Sequence, residues 1–391
     1  MASWRNWSGK LRSKPAALAF PRSEADAQAL VRATAAAGQR LRLAGATHSH
    51  APLVANDHGV IADLAGLAGV VSVDAEKERA TVWGGSRLYT LGNQLHQHGL
   101  AFANQGDIDQ QAIAGVTGTG THGTGRQLKN FSAAVTGLRL ITGEGEIVEA
   151  SAEENADLWQ ASRLHLGAFG LVSQVELQLV PCYKLKERGW EASLDEILEQ
   201  APAEIEANRH FEFFWYPQAD QANAKAINVT DDDPVYPLAE EGARCAWSHE
   251  VLPNHRPHPH TEMEYSVPLE AGIPCMRALR DLLKNEFADV QWPVEFRTLA
   301  ADDVWLSSAY ERDTVTLSVH LQVGTDDEPY YRACEAIFLA HEGRPHWGKV
   351  NYLDGQALAA MHSRWEDWWA VRDRVDPDGT FLNPYLDSIR A

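Results

Sequence analysis

A glycine-rich run at residues 115–125 constrains this chain more than any other segment. It consists of Gly-Val-Thr-Gly-Thr-Gly-Thr-His-Gly-Thr-Gly, with five glycines in eleven positions. Glycines leave backbone N–H groups uncovered, and neighbouring uncovered amides form concave sites for anions such as a pyrophosphate. The run therefore predicts a loop that holds a phosphate-containing ligand. The alternative is a glycine-rich surface turn.

Part of this run matches the pattern of a Rossmann dinucleotide site. Gly118, Gly120 and Gly123 satisfy G-x-G-x-x-G. That motif needs a buried strand before it, an amphipathic helix after it and an acidic residue about 20 positions further on. Polar residues 107–111 precede the run, and residues 126–130 have no apolar face of helical period. The context therefore disfavours an NAD-dependent dehydrogenase.

A second small-residue loop lies upstream. Residues 40–44 alternate as a half-buried strand should, and residues 45–50 then give Gly-Ala-Thr-His-Ser-His. Taken alone, His48 would be interpreted as a structural histidine.

Together the two loops resemble those of the vanillyl-alcohol-oxidase superfamily of FAD enzymes. In that superfamily a Gly-x-x-His-Ser loop and a Gly-Thr-His-Gly-Thr-Gly loop hold the two ends of the cofactor, and both are present here. The resemblance implies FAD, with a covalent bond from His48 to the flavin 8α-carbon, as in many relatives. It implies cofactor contacts from Ala44, Gly45, Ala46, Thr47, His48, Ser49, His50, Ala112, Thr117, Gly120, Thr121, His122, Gly123, Thr124, Gly170, Val172 and His346.

The first half of the chain consists of short helices and strands. Ser23 is the predicted N-cap of a helix that ends at Gly38. Ser151 and Glu154 form a predicted capping box for a helix that runs through Trp159. The predicted strands are two hairpins, 70–73 with 79–83 and 138–141 with 146–148, and a strand over 172–179 after a glycine turn.

Segments of the second half resemble sugar-1,4-lactone oxidases of the D-arabinonolactone, gulonolactone and galactonolactone group. They are residues 210–217, 262–268, 295–298, 346–349 and 376–385. Alditol oxidases share some of them. Ala112, however, stands where alditol oxidases carry a serine beside the flavin, which favours the lactone interpretation.

Two of these segments contain candidate catalytic residues. Residues i and i+2 of a strand share a face, so Glu295 and Arg297 would project together, either as catalytic groups or as a surface ion pair. Lys349 could supply a second cation. The resemblance brings His320 and Gln322 to the same pocket, His320 as a proton acceptor or a buried hydrogen-bonded histidine and Gln322 as a substrate ligand.

Charge and composition exclude several partners. A formal charge of −20 argues against nucleic acid and anionic membranes. We expect a cytoplasmic protein, because there is no run of 18 apolar residues and no apolar signal segment at the N-terminus. The four cysteines form no C-x-x-C pair, and the histidines of 255–260 have no matching carboxylate or thiol, so no metal site is predicted.

These observations predict an α+β, two-domain FAD-binding (PCMH-type) flavoprotein whose cap is built on a large, mostly antiparallel sheet. The expected division is an FAD-binding domain at 1–181, a substrate or cap domain at 182–355 and a C-terminal helix at 356–391 that returns to the FAD domain. The expected activity is hydride transfer from a C–OH group of an aldono-1,4-lactone to flavin N5, with oxygen or another electron acceptor. The alternatives are an alditol (xylitol or sorbitol type) oxidase and a flavin-fold protein that binds sugar without turnover.

Overall fold

The computed structural model describes residues 2–390, which form twenty strands and eleven α-helices. The strands are Trp4–Arg5 (β1), Arg12–Ser13 (β2), Ala17–Ala19 (β3), Leu41–Ala44 (β4), Val60–Asp63 (β5), Val70–Asp74 (β6), Arg79–Trp83 (β7), Leu100–Ala101 (β8), Val135–Ile141 (β9), Ile147–Ser151 (β10), Leu171–Gln178 (β11), Val180–Pro181 (β12), Lys184–Ser193 (β13), His210–Tyr216 (β14), Gln221–Val229 (β15), Cys245–Trp247 (β16), His260–Pro268 (β17), Val294–Leu299 (β18), Thr314–Gln322 (β19) and Arg344–Pro345 (β20).

The helices alternate with these strands along the chain. They are Glu24–Ala36 (α1), Leu88–Gln97 (α2), Ile113–Thr119 (α3), Ala156–Ser162 (α4), Leu194–Ala207 (α5), Ser248–Val251 (α6), Gly272–Glu286 (α7), Glu328–Ala340 (α8), Gly355–Met361 (α9), Trp365–Val375 (α10) and Pro384–Ile389 (α11). Within the described residues, none of these helices is both long and apolar enough to cross a membrane.

The first part of the chain is built on two small sheets. One has the order β10-β9-β11-β7-β6 and is antiparallel, and the other is parallel with the order β3-β5-β4. Both predicted hairpins and the strand after the glycine turn are confirmed. Helix α1 also begins as predicted, because the Ser23 side chain accepts a hydrogen bond from the Asp26 amide.

An eight-stranded antiparallel sheet, which we call the large sheet, dominates the second part. Its order is β16-β13-β15-β14-β18-β19-β17-β20. In β17, Met263 and Tyr265 belong to the hydrophobic core beneath helices α7 and α8, and Glu262 and Glu264 alternate with them. The strand period of two therefore sends the acidic side chains to the opposite face. This architecture confirms the predicted α+β class with a large antiparallel sheet.

Three local predictions are wrong. Ser151 accepts hydrogen bonds in a turn, and helix α4 begins only after Asn155, which adopts a left-handed conformation with φ 52°. The glycine-rich run is not all loop, because its first five residues lie in α3. The C-terminal segment is not one helix, since His362 leaves the helical conformation between α9 and α10.

The C-terminal helices pack on the first part of the chain. The Trp368 ring lies 4.9 Å from that of Phe169, and its indole N–H donates to the Leu164 carbonyl at 3.0 Å. The strands of the large sheet lie between residues 184 and 345. The domain limits at 181 and 355 stay predictions.

A buried arginine joins separate loops of the first part. Arg42, on β4, donates to the carbonyls of Leu53 at 2.6 Å and of Leu166 and Gly167 at 2.8 Å, and also to that of Phe381. Its side chain therefore ties three segments that are distant in sequence.

We predict that Arg42→Met lowers the free energy of unfolding by at least about 3 kcal/mol, because each carbonyl left buried without a donor costs about 1–3 kcal/mol. Urea titration followed by tryptophan fluorescence measures the change. Arg40→Met is the control. The Arg40 side chain is 41% exposed, and its ion pair with Asp387, at 3.5 Å, is solvent-exposed, so the substitution should lower the free energy of unfolding by less than about 1 kcal/mol. Equal losses in the two variants would contradict this account.

Candidate active site

A large cavity lies between the loops of the first part and the open face of the large sheet. Its volume is about 1210 Å³, above the range of about 300–1,000 Å³ usual for ligand pockets. Both glycine-containing loops line it, as do side chains from six strands of the large sheet. The cavity is therefore large enough for a cofactor together with a substrate.

The loop after β4 forms one wall. Thr47 has a positive φ of 60°, which turns the chain sharply, and the His48 ring lies 5.2 Å from that of Trp7. A Cβ on Gly45 would lie 2.9 Å from that of Ala112, so only glycine lets the loop approach the start of α3 this closely. Burial, with a smaller contribution from Lys349, lowers the pKa of His48 to about 4. This imidazole is therefore neutral at pH 7.

The glycine-rich run forms the adjoining wall. A Cβ on Gly115, which lines the cavity, would meet nothing within 4 Å, so the backbone there faces open space. A Cβ on Gly118 would lie 2.5 Å from the His165 ring, and Gly120 ends α3 in a left-handed conformation. The backbone at Gly115 is therefore open to a ligand in the cavity, which fits the FAD that the sequence implies.

The structure divides the predicted cofactor residues into two groups. Those that line the cavity are Ala44, Gly45, Ala46, Thr47, His48, Ser49, Ala112, Thr121, His122, Val172 and His346. Those outside its lining are His50, Thr117, Gly120, Gly123, Thr124 and Gly170.

The second group has structural surroundings of its own. The Thr117 hydroxyl donates within α3 to Ile113, and the Thr124 hydroxyl donates to the Phe211 carbonyl at 2.5 Å. Gly170 lies against the Ile141 carbonyl, where a Cβ would be 2.4 Å away. For these positions a direct cofactor contact stays a prediction.

The large sheet presents Glu295, Arg297 and His320 to the cavity, as predicted. The Arg297 guanidinium lies 3.3 Å from the Glu295 carboxylate, and both side chains are buried, so the pair is not a surface ion pair. Lys349 also lines the cavity. Gln322 is the exposed last residue of β19 and lies outside this lining; its role as a substrate ligand stays a prediction.

Glu264 is the centre of a buried network that the sequence analysis did not identify. Its carboxylate accepts hydrogen bonds from His122 Nε2 at 2.9 Å, from the Ser318 hydroxyl at 2.6 Å and from Arg297. Burial alone would raise the pKa of Glu264, but His122 and Arg297 hold it well below its usual range. An ionised carboxylate therefore connects the glycine-rich loop with strands β17, β18 and β19.

Glu262, two residues earlier on the same face, binds a second set of cationic and imidazole groups. Lys349 donates to it, and the Nε2 atoms of His260, His320 and His50 lie 3.6, 3.7 and 3.9 Å from its oxygens. Burial would raise the pKa of Glu262, but Lys349 and the histidines hold it well below the usual range. His50 lies outside the cavity lining, and its imidazole contacts the site through Glu262.

Three groups of possible metal ligands occur within the described residues. In each group the ligand atoms lie within 4.8 Å of one another; the groups are His50, His260 and Glu262; His122, Glu264 and His346; and Glu262, Glu295 and His320. The Lys349 ammonium already neutralises Glu262 in two of them. The expectation that residues 255–260 bind no metal stays a prediction.

Comparison with known proteins identifies both parts of the chain. Residues 15–151 match the FAD binding domain family, and residues 175–255 and 235–389 match the family described as D-arabinono-1,4-lactone oxidase. The first part is thus an FAD-binding domain, and the open glycine wall lies within the matched residues.

Individual relatives agree with these matches. An L-gulono-1,4-lactone dehydrogenase of Mycobacterium tuberculosis is 36% identical over 98% of this chain and 97% of the relative. An alditol oxidase of a Streptomyces species is 29% identical over 84% of this chain and 85% of the relative. A cholesterol oxidase from Brevibacterium sterolicum superimposes with a TM-score of 0.89, covering 100% of this chain and 97% of its own at 16% identity, and so shares the fold. By the matched residues and by full-length similarity, the chain belongs to the D-arabinono-1,4-lactone oxidase family.

Proposed function

We propose that this protein is an FAD-dependent oxidoreductase that oxidises a C–OH group of an aldono-1,4-lactone. The observation that carries the proposal is the pairing of Arg297 with Glu295 on the cavity face of the large sheet, with Lys349 bound to Glu262 of the same sheet, opposite the glycine-rich wall. The names of the family and of its relatives support the substrate class.

The residues on each side of the cavity would have separate tasks. Bound FAD supplies a two-electron hydride acceptor. The backbone around Gly45 and Gly115 would hold it, with His48 as the point of covalent attachment. The side chains of the large sheet would hold the substrate between themselves and the cofactor.

The two cations would act on charge that develops during the reaction. Loss of hydride from a C–OH carbon leaves a carbonyl on the substrate and negative charge on the acceptor, and a fixed cation stabilises such charge more in the transition state than in the ground state. Arg297 and Lys349 are fixed by Glu264 and Glu262 respectively. His320 lies near Glu262 and is the candidate acceptor of the hydroxyl proton.

Glu295 differs from the other carboxylates of the site. Burial raises its pKa to about 8, only partly offset by Arg297, because Asp107, Glu212 and Glu262 oppose its ionisation. Arg297 donates to Glu264, and its contact with Glu295 is the longer one. A protonated Glu295 at pH 7 can donate a hydrogen bond to a substrate oxygen as well as orient Arg297.

The alditol oxidase alternative also has support. A relative with that name covers most of the chain. Ala112, at the start of α3, lines the cavity but offers no hydroxyl to the substrate. An open-chain polyol loses more rotational freedom on binding than a lactone ring does, and this cost in affinity favours the lactone. Oxygen or another electron acceptor would complete the cycle.

The first prediction tests the reaction. Mixed anaerobically with an aldono-1,4-lactone, the holoenzyme should lose its visible flavin absorbance, and Arg297→Met should slow this by at least about 100-fold, as when one preorganised electrostatic donor is lost. Arg277→Met, on a 55% exposed side chain of α7, is the control and should leave the rate unchanged. A tenfold or greater preference for xylitol in kcat/KM would instead make the protein an alditol oxidase.

The second prediction concerns the protonation of Glu295. Because its pKa is raised in the folded state, its contribution to stability is fully present below the unfolded value and is lost as pH rises through about 8. The melting temperature of Glu295→Gln minus that of the wild type should therefore increase between pH 6 and pH 9. Asp303→Asn, on an exposed carboxylate paired with Arg163, should show no such increase. A constant difference for Glu295→Gln would mean that Glu295 is already ionised at pH 6.

The third prediction concerns flavin attachment. After acid denaturation and gel electrophoresis, flavin fluorescence should migrate with the wild-type polypeptide and be absent from His48→Ala. His58→Ala, whose imidazole lies outside the cavity lining, is the matched control and should retain it. Release of flavin from the wild type would refute the covalent bond and leave FAD binding intact.

A further inference from the structure

A second polar cluster lies on the same sheet face, beyond Arg297. It consists of Glu212 on β14, Lys225 on β15, Asp107 from the first part and Glu241 and Arg256 from loops of the second part, and all five line the cavity. No role in the reaction is assigned to them above, apart from the charges of Asp107 and Glu212, which oppose ionisation of Glu295. We call these five residues the distal cluster.

Strand pairing fixes where the distal cluster lies. Phe213 pairs with Phe296, so Glu212 comes next to Arg297 along the two antiparallel strands. On the other side of β14, Glu212 pairs directly with Lys225. Lys225, Glu212 and Arg297 thus form a row across three strands, and the cluster lies one strand away from the proposed reacting groups.

The cluster contains a buried carboxylate beside the cavity. Glu212 is 5% exposed, and its Oε1 atom lies 2.8 Å from Lys225 Nζ, its ion-pair partner. Lys225 also donates to Glu241 at 3.0 Å. An ionised carboxylate offers about four lone-pair sites to donors, so Glu212 can accept from a ligand hydroxyl as well as from Lys225.

The charges of the cluster select the kind of ligand. Three carboxylates face two cations, and Arg256 is already paired with Asp107 at 2.7 Å and with Glu241 at 2.9 Å. The surplus of negative charge disfavours an anionic ligand. Acceptors and donors next to each other suit a neutral molecule that carries several hydroxyl groups.

We propose that Glu212 and Lys225 form a hydroxyl-binding subsite for the exocyclic tail of a neutral aldono-1,4-lactone, with Glu212 Oε1 accepting from a tail hydroxyl and Lys225 donating to one. The inference rests on the proposed function, because the lactone ring must lie at Arg297. It deepens that function by assigning a preference for lactones with a longer hydroxylated tail over open-chain or anionic sugar acids.

The test compares three probes with two, one and no tail hydroxyls: L-gulono-1,4-lactone, D-arabinono-1,4-lactone and erythrono-1,4-lactone. In Glu212→Gln and Lys225→Met holoenzymes, kcat/KM for the first should fall by about 10- to 100-fold, the range of a lost hydrogen bond to a charged group. For erythrono-1,4-lactone it should stay within about twofold. Lys186→Met, on an exposed lysine of β13 paired with Asp232, should change none of the three.

A binding measurement separates this inference from the proposed function. Calorimetry on dithionite-reduced holoenzyme, which cannot oxidise a lactone, measures Kd without turnover. Both substitutions should raise the Kd of L-gulono-1,4-lactone and leave that of erythrono-1,4-lactone within about twofold. If the substitutions weaken binding of all three lactones equally, or of none, the subsite is overturned even if the enzyme oxidises lactones. If the wild type oxidises no lactone, the proposed function fails, and the Kd series then decides the subsite by itself. The two substitutions are independent, so one remains informative if the other variant does not bind FAD.

Discussion

The interaction on which the site depends is the buried carboxylate of Glu264. It accepts from His122 in the glycine-rich loop and from Arg297 and Ser318 in the large sheet. These donors come from both parts of the chain, so one side chain fixes the glycine-rich wall relative to the cavity face of the large sheet. Removing one partner of such a buried set leaves the others uncompensated, which is strongly destabilising. This explains how a wide cavity can hold the Arg297 side chain in one position.

Much of the fold was predictable because local patterns determine it. The hairpin 70–74 with 79–83 follows from alternation around a polar turn, and α1 follows from its Ser23 cap. Other features depend on distant contacts. Asn155 starts α4 from a left-handed conformation, and the periodic apolar residues of 358–371 continue through a break at His362. The spacing of hydrophobic residues predicts which face of a helix is buried, but it does not predict the residue at which the helical backbone hydrogen bonds end.

The site was predictable where a motif lies on a loop and less so on the large sheet. Glu262 and Glu264 alternate with Met263 and Tyr265, the same period that predicted the pairing of Glu295 with Arg297. A solvent-exposed strand has the same alternation, so the sequence alone did not indicate that the polar face is covered. The covering loops come from the first part of the chain. The same alternation put Gln322 on the face of His320, but Gln322 is the exposed last residue of β19 and lies outside the cavity lining.

The central claim is that Glu264 positions Arg297 for hydride transfer, and Glu264→Gln tests it most directly. Glutamine keeps the size of the side chain and removes the charge. The rate constant of anaerobic flavin reduction at a saturating aldono-1,4-lactone concentration should fall by at least about 100-fold with FAD still bound. Ser318→Ala, which removes only the neutral donor, should lower it by less than about tenfold. A Glu264→Gln holoenzyme that is reduced within twofold of the wild-type rate would contradict the account.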